Sequence, residues 1–310
     1  MLKLKRSRLV MPANNMKFID KAPLRNADII VLDLEDSVPS SQKLLARRDL
    51  KKKIEIANQG GSSIYVRVNN NTQLLKEDID ASISPPLTGI YVPKIEKAEQ
   101  VVEIDELLSA YEKKLQLSDG HFKISILIET AKGLLNLNSI LCSSKRIDTV
   151  SLGAEDFAKD VDLIMGESTK IALLNIRMQI CIAAHAFGVL PMGLMSSIAD
   201  FTNLEEVESS ALLAYEHGFV GTSCIHPSNV EVLNKAFSPS EKSISEAHEL
   251  IKVFDEAQQN GKSAIRFKEK MVDIPHYEQA KNLISTYEQI LQYEQYKEIC
   301  RKSYIGGQNI

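Results

Sequence analysis

Along this chain, short runs of apolar and β-branched residues alternate with longer amphipathic segments. The runs fall at 9–12, 27–34, 63–68, 88–93, 123–129, 148–153, 189–194 and 219–224, and each has the length and residue types of a buried strand. Between them the spacing predicts helices over 42–57, 98–115, 171–186 and 204–217, where apolar residues recur every three or four positions. Strands that read apolar on both faces and alternate with helices imply a parallel sheet covered by helices. Eight such units in about 240 residues match a closed (β/α)₈ TIM barrel, with an open doubly wound sheet as the alternative. No GxGxxG follows the first strands and no GxxxxGK[ST] occurs, so neither alternative use of the sheet, dinucleotide or P-loop, has its phosphate-cradling glycines. A helix over 245–260, the stretch GKSAIRFKEKMVDIPHYEQ and a last helix ending near 301 follow. They supply no further barrel strand, so the division expected is a catalytic barrel over 1–240 and a C-terminal helical extension or lid over 241–310. The closing IGGQNI reads as a frayed end.

Composition narrows the partners. The 310 residues carry a formal net charge of −4, which leaves no global basic field for nucleic acid or anionic lipid. No run approaches the length of a membrane span, and the basic start MLKLKRSRLVMPANN lacks the apolar core of a signal peptide. The four cysteines stand far apart without a CxxC pair, so reduced thiols and a cytoplasmic location are expected. The basic run KLLARRDLKKK at 43–53 falls on a helix and reads as a solvated face rather than a nucleic-acid site.

In a barrel, chemistry sits at the carboxyl ends of the strands. The second run, IIVLDLEDS, places Asp33, Glu35 and Asp36 there; the third carries Arg67, the fifth ends on Glu129, and the sixth on SLGAEDF with Glu155 and Asp156. So many carboxylates at one mouth repel unless a hard cation neutralises them. Magnesium fits, because it takes one or two protein carboxylates and leaves coordination sites for a 2-oxo acid. The plainer readings are that Asp33 and Glu155 cap the following turns, and that Arg67 forms a buried ion pair with Glu35 or Asp36. His185 and His217 lie on predicted helices, and His226 in CIHPSN suits a turn. No GxSxG nucleophile motif occurs.

The segments LVMPANN, VLDLEDSVPSSQKLLAR, VRVN, VPKIEKAE, LIETAKGLLN, SLGAEDFAKD, GTSCIHPSNV and MVDIP, in this order, resemble the citrate lyase β-subunit-like family within the HpcH/HpaI aldolase superfamily. The resemblance implies a magnesium-dependent TIM barrel that cleaves a hydroxyacyl thioester, such as malyl-CoA or citramalyl-CoA, to acetyl-CoA and a 2-oxo acid. It implies metal ligation by Glu129 and Asp156, an arginine at the reacting centre in Arg67, and a matching acidic strand end that includes Glu35 and Asp36. In the family's thioester lyases a C-terminal aspartate enters the site of a neighbouring subunit, which here is Asp273 of MVDIP. That implies a homo-oligomer, a trimer or a hexamer. Lys17 and Lys21 match the segment where relatives contact the phosphates of CoA. The chain departs from the family at Val10, at Ala13 where a glycine is usual, and at Glu269 or Lys270 where the tail usually has a glycine. A citrate lyase β subunit acting on an acyl-carrier-protein thioester, and an inactive binding barrel, are the alternatives.

Overall fold

The computed structural model describes residues 4–307 except 165, 167, 168, 197–201 and 262, so the last three residues of the predicted frayed end lie outside the described residues. The chain forms two compact units, Lys5–Phe237 with residues 300–307, and Ser238–Ile299 with Leu4.

The first unit is the barrel. Its strands are β1 (Ser7–Pro12), β2 (Ile29–Asp33), β3 (Ser63–Arg67), β4 (Gly89–Val92), β5 (Lys123–Ile128), β6 (Ile147–Leu152), β7 (Leu190–Met192) and β8 (Thr222–Cys224). They pair in parallel in the order β7-β6-β5-β4-β3-β2-β1-β8. The two ends of that order meet through Val220 N–H to the Pro191 carbonyl (3.0 Å) and Gly193 N–H to the Gly221 carbonyl (2.8 Å), which closes the sheet on itself. All eight predicted runs contain a strand; the last two are shorter than expected. The first starts earlier, because Ser7 and Arg8 extend it.

Strand side chains alternate between two apolar layers, as a pleat of period two requires. Ile30, Leu32, Ile64, Val66, Ile90 and Ile126 face the helices. Ile29, Val31, Tyr65, Tyr91, Leu127 and Met192 fill the barrel interior. Arg8 shares that interior: its guanidinium lies 4.5 Å from the centre of the Tyr91 ring and donates to Thr149 Oγ1 at 2.7 Å and Ser125 Oγ at 3.0 Å. Hydroxyls on neighbouring strands thus satisfy a cation buried among apolar side chains.

The helix predicted over 42–57 is two helices, Lys43–Arg47 and Leu50–Asn58. Arg48 is extended (ψ 131°) and Asp49 left-handed (φ 55°). Lys53 Nζ caps the broken end by donating to the Ala46 carbonyl at 2.9 Å, and Lys43 Nζ donates to the Leu34 and Glu35 carbonyls at 2.8 and 2.6 Å. The basic run is therefore only in part a solvated face: Lys53 is buried, tying backbone together. Arg301 and Tyr304, in the last turns of the closing helix, bond Asn26 Oδ1 and the Asp20 carbonyl (2.8 Å for Tyr304).

The second unit holds the helix Glu241–Gln259, capped by Ser240 Oγ, and much of the helix Ile274–Gly307. The stretch between them, expected to add no barrel strand, forms a separate β-hairpin of β9 (Ala264–Phe267) and β10 (Lys270–Asp273). Phe254 and Tyr277 stack at 4.8 Å in its core. No described helix is long and apolar enough to cross a membrane.

Candidate active site

The inward phase of β2, β3 and β5 runs Ile29, Val31, Asp33; Tyr65, Arg67; and Leu127, Glu129. The step of two that fills the interior with apolar side chains therefore ends, at the carboxyl rim, on three charged ones. Asp33 and Arg67 are direct partners in the β2–β3 register, and Arg67 clamps Asp33 through Nε (2.6 Å) and Nη2 (2.7 Å). Its remaining Nη1 stands 3.3 Å from Glu35 Oε2 and 3.9 Å from Asp36. The sequence offered Glu35 or Asp36 as its ion-pair partner; the fork instead closes on Asp33, with Glu35 next. Asp33 also accepts from the backbone N–H of Glu35 (2.9 Å) and of Ser37 (3.0 Å), so it is both a turn cap and the anchor of Arg67. Burial alone would push Asp33 up, but the bonds to Arg67 and the turn outweigh it and hold the carboxyl below its ordinary value.

Lys94, just past β4, joins two of the acids. It adopts a left-handed backbone (φ 53°), its N–H donates to Glu129 Oε2 at 2.8 Å, and its Nζ donates to Glu35 Oε1 at 3.0 Å. A non-glycine residue held in this region marks a place where the surroundings over-determine the backbone. Lys94 escaped the sequence reading, although the rule that picked the other strand ends applies equally to the residue after TGIYVP.

Glu129 is 4% exposed, and burial is the main cause that lifts its carboxyl to about 8, with the Asp156 and Glu35 charges adding and the Lys94 N–H opposing. Gly153, at the end of β6, accommodates it: a Cβ there would lie 2.6 Å from Glu129 Oε1. Asp156 stands in the first turn of the helix Ala154–Asp160. Asp36, Arg67, Tyr91, Glu129, Ser151, Gly153, Glu155, Asp156 and Arg177 line one cavity of about 210 Å³, open at the carboxyl ends of the strands. Among the described residues no three His, Cys, Asp or Glu side chains form a metal cage. That does not count against magnesium, which keeps most of its waters and binds through one or two carboxylates. A carboxyl raised by burial, with neighbouring acids adding to it, is a donor that such an ion fits.

The other predicted residues stand elsewhere. Lys17, on the helix Met16–Ile19, and Lys21, which precedes the turn Ala22–Leu24, are exposed. A groove of about 250 Å³ lined by Asn14, Met16, Arg48, Asp49, Lys52 and Lys53 adjoins the same segment. Asp273 ends β10 in the second unit, half-exposed, with Oδ1 2.5 Å from His276 Nδ1. His185 and His217 contact the Gly218 and Leu213 carbonyls at 3.1 and 2.7 Å, packing roles at helix ends, and His226 Nδ1 lies 2.6 Å from Ser228 Oγ in a turn.

Residues 6–227 match the model of the HpcH/HpaI aldolase/citrate lyase family. The chain is 32% identical over 277 residues to the citrate lyase subunit beta of Leuconostoc mesenteroides subsp. cremoris, covering 88% of this chain and 90% of that one. It is 31% identical over 292 residues to the mitochondrial citramalyl-CoA lyase of Homo sapiens, with 91% and 85% covered. Protein CitE of Mycobacterium tuberculosis, solved in complex with magnesium, acetoacetate and coenzyme A, superposes with a TM-score of 0.72 at 26% identity, over 91% of this chain and 97% of that one. The chain belongs to the HpcH/HpaI aldolase/citrate lyase family.

Proposed function

We propose that the chain cleaves the carbon–carbon bond of a 3-hydroxyacyl-CoA thioester, of the malyl-CoA or citramalyl-CoA kind, into acetyl-CoA and a 2-oxo acid. Its relatives are named lyases, and the chain is a carbon–carbon lyase of that family. The observation that carries the finer reading is the cavity that Arg67, Glu129 and Asp156 share. Glu129 and Asp156 are the residues that would hold magnesium, which would supply Lewis-acid stabilisation to the oxygens of the acid fragment.

The chain's own groups do the rest. Arg67, its orientation locked by Asp33, presents Nη1 to negative charge that develops on the carbinol oxygen as its proton leaves. Asp36, which lines the cavity, takes that proton. As the C2–C3 bond breaks, its electron pair moves to the thioester fragment as an enolate. Asp273, reaching in from a neighbouring subunit, returns a proton to the enolate carbon and completes the acetyl thioester. Lys17, Lys21 and the basic groove beside them suit the phosphates of CoA. The assembly is a homotrimer or hexamer, located in the cytoplasm.

Release of 2-oxo acid from malyl-CoA, citramalyl-CoA and citryl-CoA, measured with magnesium and with EDTA, tests this reading. One ester should turn over with magnesium and stop with EDTA, and Asp156→Ala should abolish the turnover; full activity in that variant sinks the ligand assignment. The likeness to a citrate lyase subunit beta supports a second reading, action on a carrier-protein thioester. Turnover of citryl groups on acyl carrier protein but not on free CoA would select it.

A further inference from the structure

Three asparagines in a row, Asn69, Asn70 and Asn71, follow β3, and each amide has a different use. Asn71 Oδ1 accepts from the Leu74 N–H at 2.9 Å and caps the helix Thr72–Ser82. Asn69 Nδ2 donates to the Leu34 carbonyl, one residue past β2, at 2.9 Å and to Asp78 Oδ2 at 2.7 Å. Asn70 reaches the other way, past the end of β4. Its Nδ2 donates to the Pro93 carbonyl at 2.8 Å and to the Lys94 carbonyl at 2.9 Å.

Carbonyls alternate in direction along a strand, so one amide can satisfy two successive carbonyls only where the backbone between them leaves the extended form. Lys94 does so, with its left-handed φ of 53°, a conformation that costs a lysine free energy and persists only where its surroundings impose it. In a trans peptide the C=O and the N–H point to opposite edges of one plane. The plane between Pro93 and Lys94 is held at both edges: its carbonyl meets Asn70, and its N–H donates to Glu129 Oε2 at 2.8 Å. Turning that plane away from Asn70 would turn the N–H off the carboxylate. A peptide bonded at its carbonyl is also polarised into a stronger N–H donor.

We propose that Asn70 is a positioning residue for the magnesium site: its grip on the two carbonyls sets the plane between Pro93 and Lys94, which aims the Lys94 N–H at Glu129 and fixes that carboxylate for the metal. This rests on the lyase reading above, in which Glu129 and Asp156 hold the ion. Asn70 is not among the described residues that line the cavity, so it acts through Lys94 and touches neither metal nor substrate. Outer partners of this kind orient a ligand without bonding the ion themselves.

Binding of manganese(II) to the full-length protein without substrate, read from the electron paramagnetic resonance of the free ion, tests it; this ion shares the preference of magnesium for an octahedron of oxygens. Asn70→Leu keeps the size of the side chain and removes both donors, and should weaken binding by at least about tenfold, the usual cost of losing an outer partner. Asn71→Ala loosens the same loop at its helix cap, and should lower the melting temperature while leaving the affinity within about twofold of wild type. A smaller loss in Asn70→Leu, or an equal loss in Asn71→Ala, overturns the proposal and leaves the lyase reading intact. Glu129→Gln separates the two. If it binds manganese as tightly as wild type does, or wild type binds none, the ligand assignment falls and this inference with it. Should the leucine variant not fold, Asn70→Ser, which keeps one donor, decides: a loss of at least about threefold is expected, and a smaller one overturns the proposal.

Discussion

At the scale of single residues, the site is organised by what neutralises what. Asp33 is fully buried and gives both oxygens to Arg67, so replacing it leaves a guanidinium without its anchor. Asp33→Asn should lower stability at pH 7 by on the order of 3–5 kcal/mol, the usual penalty for breaking a buried pair from one side. Because Arg67 holds the Asp33 carboxyl below its ordinary value of 3.8, the pair's contribution is complete above that value and is lost as pH falls through the lower folded one. The deficit of the variant, read from denaturant melts, should therefore narrow at pH 3. Glu129 has the opposite sign. Its carboxyl is raised from 4.5 to about 8, so the protonated form stabilises the metal-free fold below pH 4.5, and that contribution is lost as pH rises through about 8. In EDTA the melting temperature should decline over this window, and Glu129→Gln should flatten the decline; an unchanged slope would mean that Glu129 is not the group responsible. Residues of this kind were legible in the sequence because they end inward-phased strands, where a charge directly after an apolar run is costly to bury without a partner. Arg177 was not, since it reaches the cavity from the helical layer, and only its place in the buried stripe of Leu173, Ile180 and Ala184 signals it.

At the scale of elements, strands were easier to read than their connections. A run such as SIYVRV carries its own signature, β-branched and apolar throughout, whereas ARRDLKK has nothing that forbids a helix. What breaks the helix at Arg48 and Asp49 is tertiary: Lys43 and Lys53 turn inward to bond carbonyls 7 to 9 residues before them, and the chain kinks to let them. The hairpin β9–β10 escaped for a local reason. A two-residue turn with left-handed backbone at both positions favours Asn-Gly, and this one uses Lys268 and Glu269, at φ 46° and 65°. Lys268 has a compensation, its Nζ standing 3.1 Å from Glu249 and 3.4 Å from Glu246. Glu269 is the residue to change. Glu269→Gly should relieve about 1 kcal/mol of backbone strain, less the extra entropy of glycine in the unfolded chain. Slower amide hydrogen exchange at Val272 is the measurement that would detect it, and no slowing would place the turn's strain elsewhere.

For the whole molecule, the alternation of strand and helix sufficed for the barrel because eight parallel strands with apolar inner and outer faces have few ways to bury both. What that pattern does not carry is how one copy serves another. Asp273 belongs to the unit Ser238–Ile299, while Glu129 and Asp156 belong to the barrel unit, and the proposed mechanism assigns them to one site drawn from two chains. This makes a quantitative prediction. Asp156→Ala and Asp273→Asn should each be inactive alone. In oligomers assembled from equal amounts of both, a site is competent when its barrel comes from the Asp273→Asn chain and its acid from an Asp156→Ala neighbour. Random assembly into a closed ring makes that about one site in four. Co-expressed variants should thus recover about a quarter of wild-type turnover per site, whereas an Asp273 that serves its own barrel allows no recovery, since every chain then lacks one of the two acids.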